Sequence, residues 1–228
     1  MACWQRRNRM IAKTLFFGEP KAQLQLVQLT GGDEEGSLSS EFGKIRELSG
    51  RSEFGLTAVL VEDWNKDLSP WEAPPVFGSE GFGGGAQDTL DAVLENIVPQ
   101  ILMQAGKEAK LLLGGYSLAG LFAVWAACQT DTFRGIASAS GSLWFPGFLD
   151  FMKGHPLQTE AVYLSLGDKE EKTRNPVMRT VGDCVREAHA YLSENGMRTV
   201  LEWNPGNHFK EPDLRMAKGF AWLIKQTE

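Results

Sequence analysis

The sequence predicts an α/β fold in which a mostly parallel central sheet carries helices on both faces. Apolar, β-prone segments alternate along the chain with helical segments of ten or more residues, which is the pattern of crossover units. Several strand segments, such as Leu111–Leu113, are apolar on both faces, as expected when helices cover both sides of a sheet. The 228 residues are typical of one domain spanning 1–228, and they leave room for little or no lid.

Hydrophobic periodicity and turn residues place the elements in chain order. Residues 1–21 are expected to form an extension or an edge strand, with Thr14–Phe17 antiparallel to its neighbour. Residues 70–86 are expected to form a long connection before a helix that starts near Gln87. Gly167 ends the predicted strand at 161–166, and a Pro-Gly turn ends the predicted strand at 199–203. The predicted strands are Leu24–Leu29, Leu56–Val61, Lys110–Gly114, Gly135–Ala139, Ala161–Leu166 and Thr199–Trp203. The predicted helices are Leu38–Leu48, Gln87–Ala105, Leu118–Cys128, Val177–Glu194 and Leu214–Lys225.

A serine stands at the turn between a predicted strand and a predicted helix. The hexapeptide from Gly115 to Gly120 reads Gly-Tyr-Ser-Leu-Ala-Gly, and it places Ser117 at this corner. An α/β-hydrolase keeps its nucleophile at such a corner, on a strained backbone whose close neighbours must be small. Gly115, Ala119 and Gly120 meet this demand, although the usual motif has a second glycine where this chain has Ala119.

A serine nucleophile needs an imidazole to take its proton and a carboxylate to orient that imidazole. The chain has three histidines, and His208 is favoured because it lies in a Pro/Gly loop after the last predicted strand. Open α/β sheets gather their catalytic groups at the carboxyl ends of strands. His189 falls inside a predicted helix, and His155 precedes the candidate acids, whereas this fold has the order serine, acid, histidine.

The acid is expected after the strand that Gly167 closes. Three carboxylates compete there: Asp168, Glu170 and Glu171. In hydrolases of this type the acid often stands three residues after the strand-ending glycine. This spacing favours Glu170, with Asp168 as the runner-up and Glu171 third.

Four motifs together resemble one known family. They are Gly-Tyr-Ser-Leu-Ala-Gly at 115–120, Ala-Ser-Ala-Ser-Gly-Ser-Leu-Trp at 137–144, Leu-Ser-Leu-Gly-Asp-Lys-Glu at 164–170 and Gly-Asn-His-Phe at 206–209. Over nearly the whole chain, the sequence is similar to the esterase family that contains esterase D and the enterochelin esterases. The resemblance implies an α/β-hydrolase fold and a serine esterase or acyltransferase, with Ser117 as nucleophile and His208 as base. Some members manage with a Ser/His dyad, which leaves the role of Glu170 open.

The oxyanion of a tetrahedral intermediate needs at least two N–H donors. The backbone of Leu118, the residue after the nucleophile, is expected to supply one donor at the start of a helix whose dipole also favours negative charge. The second donor is expected from the Gly-rich loop 30–36, where Gly32 is our choice, and a merely flexible acidic loop is the alternative.

Aromatic residues beside polar groups are expected to shape the substrate pocket. Trp64, Asn65 and Trp71 lie on the loop that leaves the second of the listed strands, Trp144 follows a later strand, and Tyr116 precedes the serine. Ordinary packing of these tryptophans is the alternative. The nearby loops are rather acidic, which argues against catechol siderophores as substrates.

Composition excludes several other classes of function. A formal charge of -6 opposes nucleic-acid binding, and no segment has the ~18 continuous apolar residues of a membrane span. The N-terminus lacks an export signal, so a cytoplasmic protein is expected. The three cysteines, Cys3, Cys128 and Cys184, lack metal-ligand spacing and are predicted to be free thiols. No metal and no cofactor are expected, since residues 81–85 lack the strand that a dinucleotide loop requires.

The hypothesis from the sequence is a serine hydrolase that cleaves an ester or thioester of a small or medium acyl compound through an acyl-enzyme on Ser117. An acyltransferase would use the same groups and pass the acyl chain to an alcohol. A non-catalytic binding protein on a hydrolase fold is the third hypothesis. The expected partner is a small-molecule ester, and a long apolar loop surface is compatible with a homodimer.

Overall fold

Seven strands form a single central sheet within residues 11–76 and 78–227, the part of the chain that the computed structural model describes. The strands are β1 Ile11–Gly18, β2 Leu24–Thr30, β3 Gly55–Val61, β6 Lys110–Tyr116, β7 Gly135–Ala139, β8 Ala161–Gly167 and β9 Arg198–Asn204; β4 Glu72–Ala73 and β5 Phe82–Gly83 form a separate two-stranded ladder. The sheet order is β1-β3-β2-β6-β7-β8-β9. All neighbours run parallel except β1, which pairs antiparallel with β3 at one edge.

Helices follow most of the strands. They are α1 Leu38–Ser49, α2 Trp64–Asp67, α3 Ala86–Ala92, α4 Val98–Ala105, α5 Leu118–Ala127, α6 Phe148–Gly154, α7 Val181–Glu194 and α8 Pro212–Gln226. Short 3₁₀ turns at Gly32–Ser37 and Met178–Thr180 precede α1 and α7, and a π-helical turn at Val93–Ile97 joins α3 to α4. Every helix in the described ranges is too short or too polar to cross a bilayer.

Alternation of side chains along the strands produces two hydrophobic cores, one on each face of the sheet. Leu26 and Leu112 face the layer of α1 and α8, where Phe220 packs against them. Their neighbours Val27 and Leu113 face the opposite layer, formed mainly by α3, α4, α5 and α7. The fold class predicted from the sequence, a mostly parallel sheet with helices on both faces, is therefore confirmed.

Local differences from the predicted elements have physical causes. The predicted helix Gln87–Ala105 is interrupted by the π turn, and Pro99 at the start of α4 has no N–H with which to continue the regular bonding pattern. Residues 143–157, where the sequence predicts neither a strand nor a helix, contain α6. Thr14–Phe17 does belong to an antiparallel edge strand, whereas residues 1–10 of the expected N-terminal extension lie outside the described residues.

The topology brings four loops to one edge of the sheet. Strands β2, β6, β8 and β9 run in the same direction, so their carboxyl ends lie on the same side. The segments that follow these strands carry Gly32, Ser117, Glu170 and His208, respectively. The candidate residues from distant parts of the chain therefore converge at the edge where open α/β sheets bind their ligands.

A buried carboxyl group lies between β2 and α1, on the side of the sheet covered by α8. Glu41 is 3% exposed and accepts a 3.3 Å hydrogen bond from the Gln28 side-chain amide. Burial raises the pKa of Glu41 well above its ordinary value, and the nearby carboxylates of Glu34 and Asp213 raise it further. The Gln28 hydrogen bond and Lys44 lower the pKa less than burial raises it.

The variant Glu41→Gln is expected to become more stable than the wild type as the pH rises. A raised folded-state pKa means that Glu41 contributes stability fully below its unfolded pKa of about 4.5 and loses it as the pH rises toward the folded value. The loss reaches ~1.4 kcal/mol for each pH unit inside this window. Urea unfolding of both proteins from pH 5 to pH 8 measures it, and a stability difference that does not change with pH would contradict a protonated Glu41.

Candidate active site

The backbone at Ser117 is strained in the way that the sequence motif predicts. Ser117 has φ 56° and ψ -119°, a conformation that residues with side chains rarely adopt. The turn is fixed by hydrogen bonds from the Ser117 N–H to Ala139 O and from the Ser142 N–H to Ser117 O, each 3.0 Å long. A Cβ atom at Gly115 would collide with Ala119, so close packing explains the small residues around the serine.

A chain of two hydrogen bonds joins Ser117 to His208 and Glu170. His208 Nε2 lies 3.1 Å from Ser117 Oγ, and His208 Nδ1 lies 2.7 Å from Glu170 Oε2. The His208 side chain is 25% exposed, whereas that of Glu170 is 2% exposed. An imidazole held between a hydroxyl and a carboxylate can accept the hydroxyl proton while the carboxylate stabilises the resulting positive charge.

The environment of Glu170 keeps its carboxylate ionised. Burial alone would raise the pKa of Glu170, but the His208 hydrogen bond and charge, with hydrogen bonds from Ser140 and the Gly167 N–H, lower the pKa below its ordinary value. The other two candidate acids are engaged elsewhere. Asp168 Oδ1 accepts a 2.8 Å bond from the Gly206 N–H, and Glu171 receives both its bonds from Arg186. Only Glu170, our first choice, is hydrogen-bonded to His208.

A buried arginine supports both the acid and the histidine loop. The Arg215 side chain on α8 is 2% exposed, and its Nη1 donates to Glu170 Oε1 at 2.7 Å and to Ser140 Oγ at 2.9 Å. Its Nη2 donates to the Asn207 carbonyl at 2.8 Å, next to His208. Because Arg215 occupies one oxygen of Glu170, the other oxygen is left for the imidazole.

Tyr116, which we expected to bind substrate, is hydrogen-bonded to this arginine and to the histidine loop. It is buried, and its hydroxyl donates to the His208 carbonyl at 2.5 Å and accepts from Arg215 at 3.1 Å. Burial raises the pKa of Tyr116 to about 12, and the Ser140 hydrogen bond and the Arg215 charge oppose this rise only in part. The neutral phenol therefore stays a hydrogen-bond donor to the histidine loop.

The two backbone segments proposed for the oxyanion follow two strands whose carboxyl ends lie on the same side of the sheet. Leu118 is the first residue of α5, so its N–H has no intrahelical acceptor, as for the first residues of any helix. Gly32 begins the 3₁₀ turn after β2, with no atom within 4 Å of the position of a Cβ. Burial raises the pKa of the nearby Glu34 carboxyl, while the Thr30 hydroxyl, the Gly31 N–H and the His208 charge lower it. The turn thus places an acidic group within electrostatic reach of His208.

A cavity of about 440 Å³ opens beside Ser117. Of the five residues expected to bind substrate, Trp144 lines this cavity. Trp64 lies against Gly31 of the proposed oxyanion segment, and its neighbour Asn65 accepts a hydrogen bond from Ser69 through its backbone carbonyl. A smaller cavity of about 130 Å³ lies between β1 and α4, away from the serine.

Trp71 is held in an aromatic cluster instead of the cavity wall. Its indole N–H donates to the Pro146 carbonyl at 3.0 Å, and its ring contacts Phe145 and Phe151. Trp71 therefore packs among aromatic rings and is not one of the residues that line the 440 Å³ cavity.

Sequence reasoning missed most of the cavity wall and the buried support. Arg215 had a detectable signal, because it is a charged residue on the apolar side of a helix that also buries Met216, Gly219 and Phe220. The cavity residues gave none beyond their closeness to the acid and the histidine in sequence. Those lining residues are Ser142, Lys169, Lys172, Thr173, Asn175, Met178, Asn207 and Phe209.

Other reactive side chains lie apart from this site. Cys128 and Cys184 are free thiols, as predicted, and Cys3 lies outside the described residues. Burial raises the pKa of Cys128 to about 12 and that of Cys184 above its ordinary value, which makes both poor nucleophiles. Within the described ranges, no group of three or more histidine, cysteine or acidic side chains has the arrangement of a metal site.

The strand order, the strained serine turn and the placement of the histidine loop define an α/β-hydrolase fold. No protein-family model matches the chain, and no curated protein sequence is significantly similar to it. Solved structures do match. The siderophore hydrolase EstA from Aspergillus nidulans superimposes with a TM-score of 0.72 at 18% identity, covering 92% of this chain and 85% of EstA.

Two further structures support the same fold. An IroE-like serine hydrolase from Shewanella oneidensis has a TM-score of 0.76 at 17% identity, covering 94% of this chain and 76% of its own. The enterobactin esterase FES from Shigella flexneri has a TM-score of 0.63 at 15% identity, and the match covers 94% of this chain and 56% of FES. At these identities the similarity establishes the fold that the chain shares with these hydrolases.

Proposed function

We propose that the protein is a serine hydrolase that cleaves carboxylic esters of small or medium acyl compounds. The observation that carries this proposal is the hydrogen-bond chain from Ser117 through His208 to the buried Glu170. It lies at the mouth of a cavity, on the sheet edge where the four loops converge. The fold shared with structures named as siderophore hydrolases and serine hydrolases supports the same reaction class.

In the proposed first step, Ser117 Oγ forms a bond to the ester carbonyl carbon while His208 Nε2 takes the hydroxyl proton. The carbonyl π electrons move to oxygen, which the N–H groups of Leu118 and Gly32 stabilise as the oxyanion. The intermediate then collapses and breaks the bond to the alcohol oxygen, which receives the proton from His208. Glu170 stays ionised and stabilises the imidazolium in between.

Water completes the proposed cycle. His208 Nε2 removes a proton from a water molecule as the water oxygen attacks the acyl carbon on Ser117. Collapse of the second intermediate returns the proton to Ser117 Oγ and releases the carboxylic acid. The acyl carbon therefore exchanges the alcohol oxygen for Ser117 Oγ and then Ser117 Oγ for the water oxygen, and the enzyme returns to its starting protonation state.

Labelling with a fluorophosphonate is expected to modify Ser117 and no other residue. The reagent reacts with a serine hydroxyl that a neighbouring imidazole activates, so peptide mapping locates the nucleophile directly. The matched control is His208→Ala, which keeps the serine and removes the base, and it is expected to label much more slowly. Labelling that persists equally in this variant, or a folded wild-type protein that fails to react, would count against the serine hydrolase.

A further inference from the structure

In the loop after β8, the acidic side chains are bound to other groups of the protein, whereas the basic side chains line the cavity. Its sequence from Asp168 to Lys172 contains three acidic and two basic residues, so the sequence alone indicates an acidic loop. In the structure Asp168 and Glu171 are bound away from the cavity, and Glu170, which borders it beside His208, is neutralised by a buried ion pair. Asp168 accepts from the backbone of the histidine loop, Glu170 is buried on Arg215, and Glu171 pairs with Arg186 at 3.0 Å.

The two lysines of the same loop line the cavity instead. Lys169 and Lys172 are exposed, and both contribute to the wall of the 440 Å³ cavity beside Ser117. Among the residues that the structure describes, no carboxylate lies within ion-pair distance of either ammonium group. The cavity therefore carries two uncompensated positive charges, although the protein as a whole has a formal charge of -6.

An apolar surface accompanies these charges. Trp144 and Met178 line the same cavity, and Phe209, which is 85% exposed, extends from the residue after His208. Large apolar side chains left in solvent beside a pocket are typical of ligand-binding surfaces. The combination of an apolar wall and two free ammonium groups fits a ligand with an apolar body and a negative charge.

The position of the cavity indicates which part of an ester it holds. His208 must protonate the leaving oxygen, so the alcohol portion lies beside the histidine loop during the reaction. The cavity is bounded by Asn207, His208 and Phe209, and by the loop that carries the lysines. The acyl oxygen, in contrast, faces the N–H groups at the start of α5 and at the 3₁₀ turn after β2.

We propose that the preferred substrates are esters whose alcohol portion carries a carboxylate, which Lys169 and Lys172 bind. The proposal rests on the proposed esterase function and adds the charge of the substrate to it. The negative field of the whole protein would otherwise repel such a substrate, so the two lysines change which esters reach Ser117. The two lysines therefore recognise a negative charge on the leaving group, the alcohol portion of the ester.

A matched pair of esters tests this inference. The acetate esters of 4-(hydroxymethyl)benzoate and of 4-(hydroxymethyl)benzamide have the same shape and differ in charge. The wild type is expected to show about tenfold higher kcat/KM for the anionic ester, in line with two exposed ion pairs. The preference is expected to fall to about onefold to twofold in the variant Lys169→Gln/Lys172→Gln and to shrink in the wild type as salt is raised.

The controls separate charge recognition from catalysis. Lys107→Gln, in the turn before β6 at the opposite edge of the sheet, is expected to keep both the wild-type rates and the preference, whereas the double variant is expected to lose more kcat/KM on the anionic ester than on the neutral one. Equal rates for both esters, an unchanged preference in the double variant, or hydrolysis of p-nitrophenyl acetate without either benzyl ester overturns the anion site alone. Absence of turnover on all three esters overturns the proposed esterase function as well.

Discussion

Replacing Ser117 with alanine is expected to lower kcat/KM for p-nitrophenyl acetate or butyrate by at least about 10³-fold. The side chain of alanine has no oxygen to attack the carbonyl carbon, and among the described residues the His208 imidazole has no other hydroxyl within hydrogen-bond distance. The remaining N–H groups would still polarise the carbonyl, so a small residual rate over water is compatible with the mechanism. Steady-state hydrolysis followed by absorbance measures the loss.

The same substitution is expected to leave the folded state nearly unchanged. Alanine keeps the Cβ of Ser117, and therefore the same backbone strain at φ 56°. The lost hydrogen bond joins a half-buried hydroxyl to a partly exposed imidazole, and such a bond contributes only about 1 kcal/mol. The midpoint of thermal unfolding should therefore shift by no more than a few degrees.

Ser142 provides a nearby control for this loss. It lines the same cavity, but its hydrogen bond to Ser117 comes from its backbone N–H, which Ser142→Ala retains. This variant is expected to lose less than about tenfold in kcat/KM. Comparable activity in Ser117→Ala and Ser142→Ala would remove Ser117 from the mechanism.

The fold was predictable because short stretches of the sequence are enough to indicate its strands and helices. The parallel strands that are buried on both faces have mostly apolar sequences, and each is followed by a segment with helical period. The serine and the histidine were predictable for a related reason. Each stands on a short turn directly after such a strand, so the chain order already placed both at one edge of the sheet.

The choice among the acids and the shape of the cavity depended on tertiary contacts. Asp168 and Glu170 are two residues apart, so their spacing from Gly167 favoured Glu170 but did not exclude Asp168 as the partner of the histidine. The structure separates them, because Asp168 caps the backbone of the histidine loop while Glu170 turns inward. The charge of the cavity was likewise hidden, since Arg186, which neutralises Glu171, comes from α7.

Arg215→Met is expected to have the second large effect, on stability and activity together. Methionine fills a similar volume but leaves the buried Glu170 carboxylate without its cation, and removing one partner of a buried ion pair costs about 3–5 kcal/mol. It also releases the Asn207 carbonyl beside His208. We therefore expect a lower unfolding free energy and a lower kcat/KM, measured by urea unfolding and ester hydrolysis.

Two further variants distinguish positioning from mere packing. Arg215→Lys keeps the positive charge and is expected to recover part of the activity, although lysine cannot donate to Glu170 and the histidine loop in the same fork geometry. Arg215→Met combined with Glu170→Gln has no unpaired buried charge, so its destabilisation is expected to be smaller than the sum of the two single effects. Strictly additive effects would indicate that Arg215 acts independently of the acid.

The stability lost in Arg215→Met is expected to grow as the pH rises. In the wild type the pKa of Glu170 is lowered, so its contribution to stability is present above its unfolded pKa of about 4.5 and is lost as the pH falls through the folded value. Without the arginine, the ionised carboxylate loses a cation that lies 2.7 Å away, so the pKa of Glu170 rises and its contribution to stability at high pH becomes smaller. Urea unfolding of both proteins from pH 4 to pH 8 measures the difference. A gap that stays constant across this range would mean that Arg215 contributes packing alone and does not hold Glu170 in its charged form.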